Sequence, residues 1–140
     1  MKLLILLCLI SFSVYSQRPE LIDLKVTITN INDIKGNMII KLFNNPDSFP
    51  RKGKPYKVYS EKVTTNIVSV VLMDLRKGEY AISIYHDENA DDECNMNFLG
   101  IPTESFGFSR NFRPKLSGPT FEDCYIDANQ DVSINIELID

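Results

Sequence analysis

Apolar and polar residues alternate along most of this chain with a period of two. In residues 24–29, polar side chains separate Leu24, Val26 and Ile28, and this spacing predicts a strand with one buried face. Residues 132–138 repeat the pattern. Comparable runs predict further strands at residues 38–43, 58–63, 67–73 and 80–85.

Turn-forming residues separate these runs. Gly36 precedes the second run, and Gly78 lies in the segment from Leu75 to Tyr80, whose Leu-x-x-Gly-x-Tyr spacing resembles a hairpin entrance common in prealbumin-like sandwich domains. No window of useful length has helical spacing. The 140 residues therefore predict an all-β fold: an antiparallel β-sandwich of six to eight strands, immunoglobulin-like or prealbumin-like, with one long acidic loop.

The N-terminal segment has the features of a signal peptide. Lys2 is followed by an apolar run, and small residues precede Gln17, as signal peptidase requires. We expect residues 1–16 to be removed and residues 17–140 to form one domain, exported to the periplasm or the cell exterior. The apolar run is too short for a bilayer-spanning helix, and we expect no membrane span in the mature chain. The net charge of −4 argues against a nucleic-acid partner, which would need clustered Lys and Arg.

Residues 87–109 are the most acidic part of the chain. They contain six carboxylates and no Lys or Arg, and like charges at close range repel one another. Oxygen-bearing side chains occupy alternate positions, which correspond to positions 1, 3, 5, 7 and 9 of a calcium-binding loop. These residues are Asp87, Asn89, Asp91, Glu93 and Asn95.

The spacing predicts a bound Ca²⁺, and the alternative is a solvated acidic loop without metal. Position 6 is Asp92, where calcium loops have glycine, and position 12 is Phe98 instead of an acid. A more distant group must therefore complete the ligand shell. We expect this group to be Glu104, and the further candidates are Glu122, Asp123 and His86.

Two cysteines, Cys94 and Cys124, remain after the expected cleavage. In an oxidising compartment a lone pair of cysteines usually forms a disulfide. This disulfide would tie the acidic loop to the last part of the domain. The alternative is two separate buried thiols.

Motifs in and near the acidic loop carry a family resemblance. They are His86-Asp87-Glu88-Asn89, Asn97-Phe98-Leu99-Gly100-Ile101-Pro102-Thr103-Glu104, Phe106-Gly107-Phe108-Ser109 and Phe121-Glu122-Asp123. With the turn at residues 75–80, they resemble the bacterial secreted family called domain of unknown function 2141. The resemblance implies a small exported protein with a sandwich fold and no assigned activity.

This chain departs from the family pattern at several positions of the loop. The family favours glycine at positions 90 and 92 and Asp at position 95, whereas this chain has Ala90, Asp92 and Asn95. The family tends to have apolar residues at positions 94 and 124. Cysteine at both implies a disulfide in place of an apolar contact.

The sequence contains little that indicates catalysis. His86 is the only imidazole, and we interpret it as a structural residue or a support for a metal ligand rather than as a general base. Glu104 and Glu122 would form a glycosidase pair only at a suitable separation. The loop residues Phe106, Phe108 and Phe112 are expected to close one end of the sandwich rather than form an exposed ligand platform.

Two classes of function are consistent with these observations. The favoured one is a calcium-stabilised binding or accessory module whose partner is a protein or glycan at the cell envelope. The alternative is a small metal-dependent hydrolase that uses the acidic loop.

Overall fold

The computed structural model describes residues 19–50 and 54–140, so the expected signal peptide at residues 1–16 lies outside the described residues. The strands are β1 (Leu21–Thr29), β2 (Asn37–Phe43), β3 (Lys57–Lys62), β4 (Val68–Arg76), β5 (Gly78–Asp87), β6 (Phe106–Phe108), β7 (Ile126–Ala128) and β8 (Val132–Glu137). One short α-helix, α1 (Phe121–Cys124), and two 3-10 turns, Pro46–Ser48 and Ser109–Asn111, lie between them. Among the described residues, no helix has the length and apolar character needed to cross a membrane.

Two sheets confirm the predicted β-sandwich. One sheet has the strand order β4-β1-β8, and the other has the order β3-β2-β5-β6, with β7 also paired to β5. The described strand pairs are antiparallel except β1 with β8, which run parallel, so that Leu24 lies beside Val132. Alternation of apolar residues predicts where a strand lies and which face is buried, but not the direction of its neighbour. The parallel pair is therefore an addition to the expected antiparallel architecture.

Strands β6 and β7 have three residues each, which is too short for an alternating pattern to predict them. Strand β6 also connects the two sheets along one edge: the Phe106 N–H donates to the carbonyl of Ile139 at 2.9 Å, and the Ile139 N–H donates back at 2.7 Å. A Cβ atom at Gly107 would lie 2.9 Å from Cγ2 of Ile136. Glycine at this position therefore permits the close approach of β6 to β8.

The five-stranded sheet is covered on both faces. Its inner face packs in the main core with Leu24, Val26 and Ile28 of β1, as the alternation predicts. Its outer face carries a second cluster made of loop and helix residues together with one side chain from each of β2 and β5. The members are Phe43, Phe49, Ala81, Phe121 and Cys124, with Phe108 and Phe112 packed against them.

Aromatic contacts give the second cluster its geometry. The ring of Phe49 meets the ring of Phe43 at 5.2 Å and the ring of Phe121 at 6.1 Å, both edge to face, the arrangement that aromatic quadrupoles favour. Phe108, at the end of β6, and Phe112 therefore pack over the outer face of the larger sheet. They do not close one end of the sandwich, as the sequence predicted, and they do not form an exposed platform.

Candidate calcium loop and adjoining cavity

The acidic loop begins on the outer face of the five-stranded sheet. Successive side chains of a strand point to opposite faces, and Ile84 belongs to the main core, so Tyr85 and Asp87 share the outer face at the end of β5. Cross-strand pairing places Ile39 and Phe106 on either side of Tyr85. The loop therefore starts at a point from which it can fold back over the sheet.

The turn between β1 and β2 supports the start of the loop. Gly36 has a φ of 63°, and a Cβ atom there would lie 2.0 Å from the carbonyl oxygen of Asp87. The neighbouring Lys35 ammonium lies 2.9 Å from the carboxylate of Glu88, and this contact raises the pKa of Lys35. The turn thus packs directly against the backbone of the first loop residues.

The side chains at loop positions 1, 3 and 5 accept hydrogen bonds from backbone N–H groups further along the loop. The buried carboxylate of Asp87 accepts from Asp91 at 3.1 Å and from Asp92 at 2.9 Å. Asn89 Oδ1 accepts from Asp91 at 3.2 Å, and Asp91 Oδ1 accepts from Glu93 at 2.9 Å. Asp92 has a φ of 62°. The chain therefore makes a sharp turn at position 6, where calcium loops have glycine.

Side chains at positions 3, 5 and 9 meet at one oxygen. Asp91 Oδ2 accepts from the side-chain amide of Asn89 at 2.8 Å and from that of Asn95 at 3.2 Å. The Glu93 N–H and these two amides hold the pKa of Asp91 below its ordinary value. The Glu93 side chain itself is exposed.

The carboxylate of Glu104 binds the backbone at both ends of residues 88–95. Its Oε1 accepts from the N–H of Glu88 at 3.2 Å, and its Oε2 accepts from the N–H of Asn95 at 3.3 Å. The acid predicted to complete a calcium shell therefore lies next to positions 2 and 9 of the loop.

Tyr85 joins the sheet to the tip of the loop. Its phenol donates to the carbonyl oxygen of Asp92 at 3.0 Å. Burial, and after it the negative charge of Asp87, raises the pKa of Tyr85 to about 12. The phenol therefore remains a hydrogen-bond donor at physiological pH.

The carboxylates alone do not form a complete metal site. Among the described residues, no group of three or more His, Cys, Asp or Glu side chains is placed to hold a metal ion. A Ca²⁺ ion in this loop would also need the amide oxygens of Asn89 and Asn95 and backbone carbonyl groups, which are ordinary ligands for this hard cation.

The remaining candidate ligands have other contacts. The ring of His86 is buried, with Nε2 2.7 Å from the carbonyl oxygen of Lys35. Asp123 caps helix α1, where its Oδ2 accepts from the N–H of Thr120 at 2.9 Å and from the Thr120 hydroxyl at 2.8 Å. Glu122 is exposed on the same helix. The structure therefore brings Glu104 to the loop, whereas the carboxylate of Asp123 is engaged at α1.

Cys94 and Cys124 are not joined in the structure. Cys124 is fully buried in the second cluster, and burial, followed by the charge of Asp123, raises its pKa to about 12. Cys94 is half-buried in the wall of a cavity. A disulfide between these two residues stays a prediction from the sequence.

A cavity of about 280 Å³ lies between the acidic loop and the outer face of the sheet. Lys41, Ser83 and Tyr85 line it from the sheet, and Met96 and Pro102 line it from the loop. The remaining lining residues are Phe43, Pro50, Pro55, Ile84, Cys94, Phe106 and Phe108.

Sequence reasoning missed this cavity because Lys41 and Ser83 occupy strand positions typical of a solvated face. One signal was present in the same register: Ile39, Phe43 and Tyr85 are large apolar or aromatic residues on the outward side of β2 and β5. A strand that is apolar on both sides is usually covered on both sides.

The protein is thus a two-sheet β-sandwich with an acidic loop folded over its larger sheet. The chain belongs to the family described as "Uncharacterized protein conserved in bacteria (DUF2141)", whose model matches residues 26–135. The match runs from within β1 to within β8, includes the whole acidic loop, and confirms the resemblance seen in the sequence motifs. Comparison with curated proteins gave no match, and comparison with solved structures gave none either.

Proposed function

We propose that this protein is an exported binding module whose acidic loop binds Ca²⁺ and forms the wall of a ligand cavity. One observation carries the proposal: the same stretch of backbone contributes to both features. Met96 and Pro102 line the cavity, and they lie between Asn95 and Glu104, which close the loop. An ion that orders this loop would therefore also shape the cavity.

The hydrogen-bond pattern of the loop supports calcium over a merely solvated acidic segment. Positions 1, 3 and 5 each turn an oxygen toward the loop backbone, and Asp92 adopts the left-handed conformation at position 6. Oxygen ligands at alternate positions around such a turn are the arrangement by which calcium loops surround the ion. Ca²⁺ would also offset the repulsion among the loop carboxylates.

The sequence features of residues 1–16 support export, and they favour the cell envelope as the place where the partner is met. The expected partner is a protein or glycan at this location. The cavity volume of about 280 Å³ matches a small ligand or one terminal group of such a partner, since cavities for drug-sized ligands begin at roughly 300 Å³.

The hydrolase alternative has less support. The single histidine, His86, is buried, and its Nε2 lies 2.7 Å from the carbonyl oxygen of Lys35. A general base must be within reach of the proton it removes. A binding role requires no such group.

Methyl NMR of the methionine side chains tests the calcium proposal. Met96 lies in the cavity wall, Met38 is fully buried in the main core, and Met73 is exposed on β4. On addition of Ca²⁺ up to 10 mM we expect the Met96 methyl signal to shift with saturation, while the signals of Met38 and Met73 stay in place. Calcium at 100 times its Kd should also stabilise the fold by ~2.7 kcal/mol.

Matched variants identify the loop as the binding site. Asp91→Asn removes one charge but keeps an oxygen for the turn, and it should weaken calcium binding at least tenfold. Asp127→Asn is the control, because Asp127 lies on β7 beside Glu79, at the opposite end of β5 from the loop. An unchanged Met96 signal in wild-type protein with Ca²⁺, or equal calcium affinity in both variants, would overturn the proposal.

A further inference from the structure

Lys41 is the one basic side chain among the described residues that line the cavity under the acidic loop, and most of the other described lining residues are apolar. Lys41 lies on the central part of β2, directly opposite Ser83 of β5, and Phe108 is the neighbour of Ser83 on β6. The Lys41 side chain is half-buried, and its Nζ lies 4.9 Å from the centre of the Tyr85 ring. The ammonium group thus faces an aromatic ring beneath the loop.

Lys41 has no carboxylate partner of its own. No described Asp or Glu comes within ion-pair distance of its Nζ, and residues 1–18 and 51–53 contain no acidic residue. A ring face within ~6 Å stabilises an ammonium group, but by less than an anion does when water is excluded. A half-buried lysine that has a ring face but no carboxylate beside its ammonium group therefore favours a ligand that supplies the anion.

The walls of the cavity indicate the chemical character of the rest of the ligand. Phe106 and Phe108 lie edge to face at 5.8 Å, and Met96 and Pro102 add apolar surface from the loop. Among the described residues, the lining includes no carboxylate. These surfaces favour an apolar body over a sugar or a second charged group.

The volume limits the size of this body. A dry cavity of ~150 Å³ accommodates one benzene molecule, and this cavity is about 280 Å³. One ring with a short acidic side chain therefore fits within this volume.

We infer that the cavity binds a small monocarboxylate with an apolar body of about one ring, whose carboxylate pairs with the Lys41 ammonium group. The inference rests on the proposed binding function and names its ligand class. Tyr85 lines the cavity, and Asp87 lies two residues further along β5 on the same face of the sheet, so the loop brings negative charge to this side of the cavity. Calcium in the loop should therefore increase the affinity for an anionic ligand.

Three probes of equal size and different charge test the ligand class: 3-phenylpropionate, 3-phenylpropionamide and 3-phenylpropylammonium. Each is titrated into the protein with 5 mM Ca²⁺, and binding is followed by the Met96 methyl signal and by calorimetry. We expect the carboxylate to bind at least tenfold more tightly than the amide and the ammonium probe to bind weakest. Equal affinity for carboxylate and amide, a preference for the ammonium probe, or no response to any probe would overturn the inference.

Variants of Lys41 test whether its charge causes the preference for the carboxylate probe over the amide probe. Lys41→Met should bring the affinities for carboxylate and amide within twofold of each other, whereas Lys41→Arg should keep a preference for the carboxylate. Lys25→Met is the control, because Lys25 is exposed on β1 in the other sheet. An unchanged Met38 signal shows that the core of each variant is intact. Retention of the full preference in Lys41→Met would contradict the assignment.

The two proposals fail in different ways. If Ca²⁺ shifts Met96 but no probe binds, the ligand class is wrong and the calcium loop stands. If 3-phenylpropionate binds through Lys41 but Ca²⁺ changes neither Met96 nor the affinity, the ligand class stands and the calcium loop is wrong.

Discussion

The phenol of Tyr85 donates a hydrogen bond to the carbonyl oxygen of Asp92 across 3.0 Å. Tyr85 belongs to β5, which lies between β2 and β6 in the larger sheet, whereas Asp92 forms the sharp turn of the acidic loop. The same ring lies beneath the ammonium group of Lys41. One side chain thus links the sheet, the loop and the cavity.

Replacement of Tyr85 by Phe should loosen the acidic loop but keep the aromatic ring that lines the cavity. The ring and its contact with Lys41 are kept, while the hydrogen bond to Asp92 is lost, which costs about 1 kcal/mol. We expect urea denaturation to show this loss, and hydrogen exchange to increase most at the amides of residues 91–95. Tyr125→Phe is the control, because Tyr125 is more exposed and its ring contacts Arg110. Equal effects of the two substitutions would contradict the role given to Tyr85.

Gly36→Ala should be strongly destabilising. A Cβ atom at this position would lie 2.0 Å from the carbonyl oxygen of Asp87, and the φ of 63° is unfavourable for alanine. We expect a loss of roughly 3 kcal/mol or more in the free energy of unfolding. Gly118→Ala, where nothing lies within 4 Å of the added Cβ, should leave stability within about 1 kcal/mol of wild type. A mild effect at Gly36 would mean that the turn does not pack against the loop as described.

Glu104→Gln should open the acidic loop. Each carboxylate oxygen of Glu104 accepts one backbone N–H, from Glu88 and from Asn95, and the amide group of Gln cannot accept at both positions. Loss of one charge-assisted bond of ~2 kcal/mol corresponds to about thirtyfold faster hydrogen exchange at those two amides. Glu122→Gln is the control, because Glu122 is exposed on α1. Unchanged exchange at Asn95 would argue against Glu104 as the group that closes the loop.

Much of the sandwich can be predicted from the sequence because burial of one strand face leaves a period of two. The predicted run at residues 24–29, for example, lies within β1, and Leu24, Val26 and Ile28 are all fully buried. Strands β6 and β7 cannot be predicted in this way, since three residues do not establish a period. Their pairing depends on neighbours that are distant along the chain.

Only part of the candidate site can be predicted from the sequence, because the rest depends on contacts between residues that are distant along the chain. Alternate oxygen-bearing residues from Asp87 to Asn95 are visible in the sequence. The structure joins Asp87, Asn89, Asp91 and Asn95 in one hydrogen-bonded group, whereas the side chain of Glu93 is exposed. The cavity depends on the loop folding back onto β2 and β5, which no local pattern encodes. Lys41 therefore has the same sequence signature as a solvated lysine on a strand.

Protonation of Asp91 should weaken the hydrogen bonds that order the acidic loop. Hydrogen bonds from the Glu93 N–H and from two asparagine amides lower the pKa of Asp91 from its ordinary value of 3.8. A carboxyl group whose pKa is lower in the folded protein contributes stability above its unfolded pKa, and this contribution is lost as the pH falls through the folded value. We therefore expect the Glu93 amide signal to titrate with a midpoint below 3.8 and calcium affinity to fall in the same range.

Asp123 provides an internal comparison, because Thr120 lowers its pKa at α1, and its titration should not move the Met96 methyl signal. A Glu93 midpoint above 3.8 would show that the carboxylate of Asp91 is not held by the loop backbone.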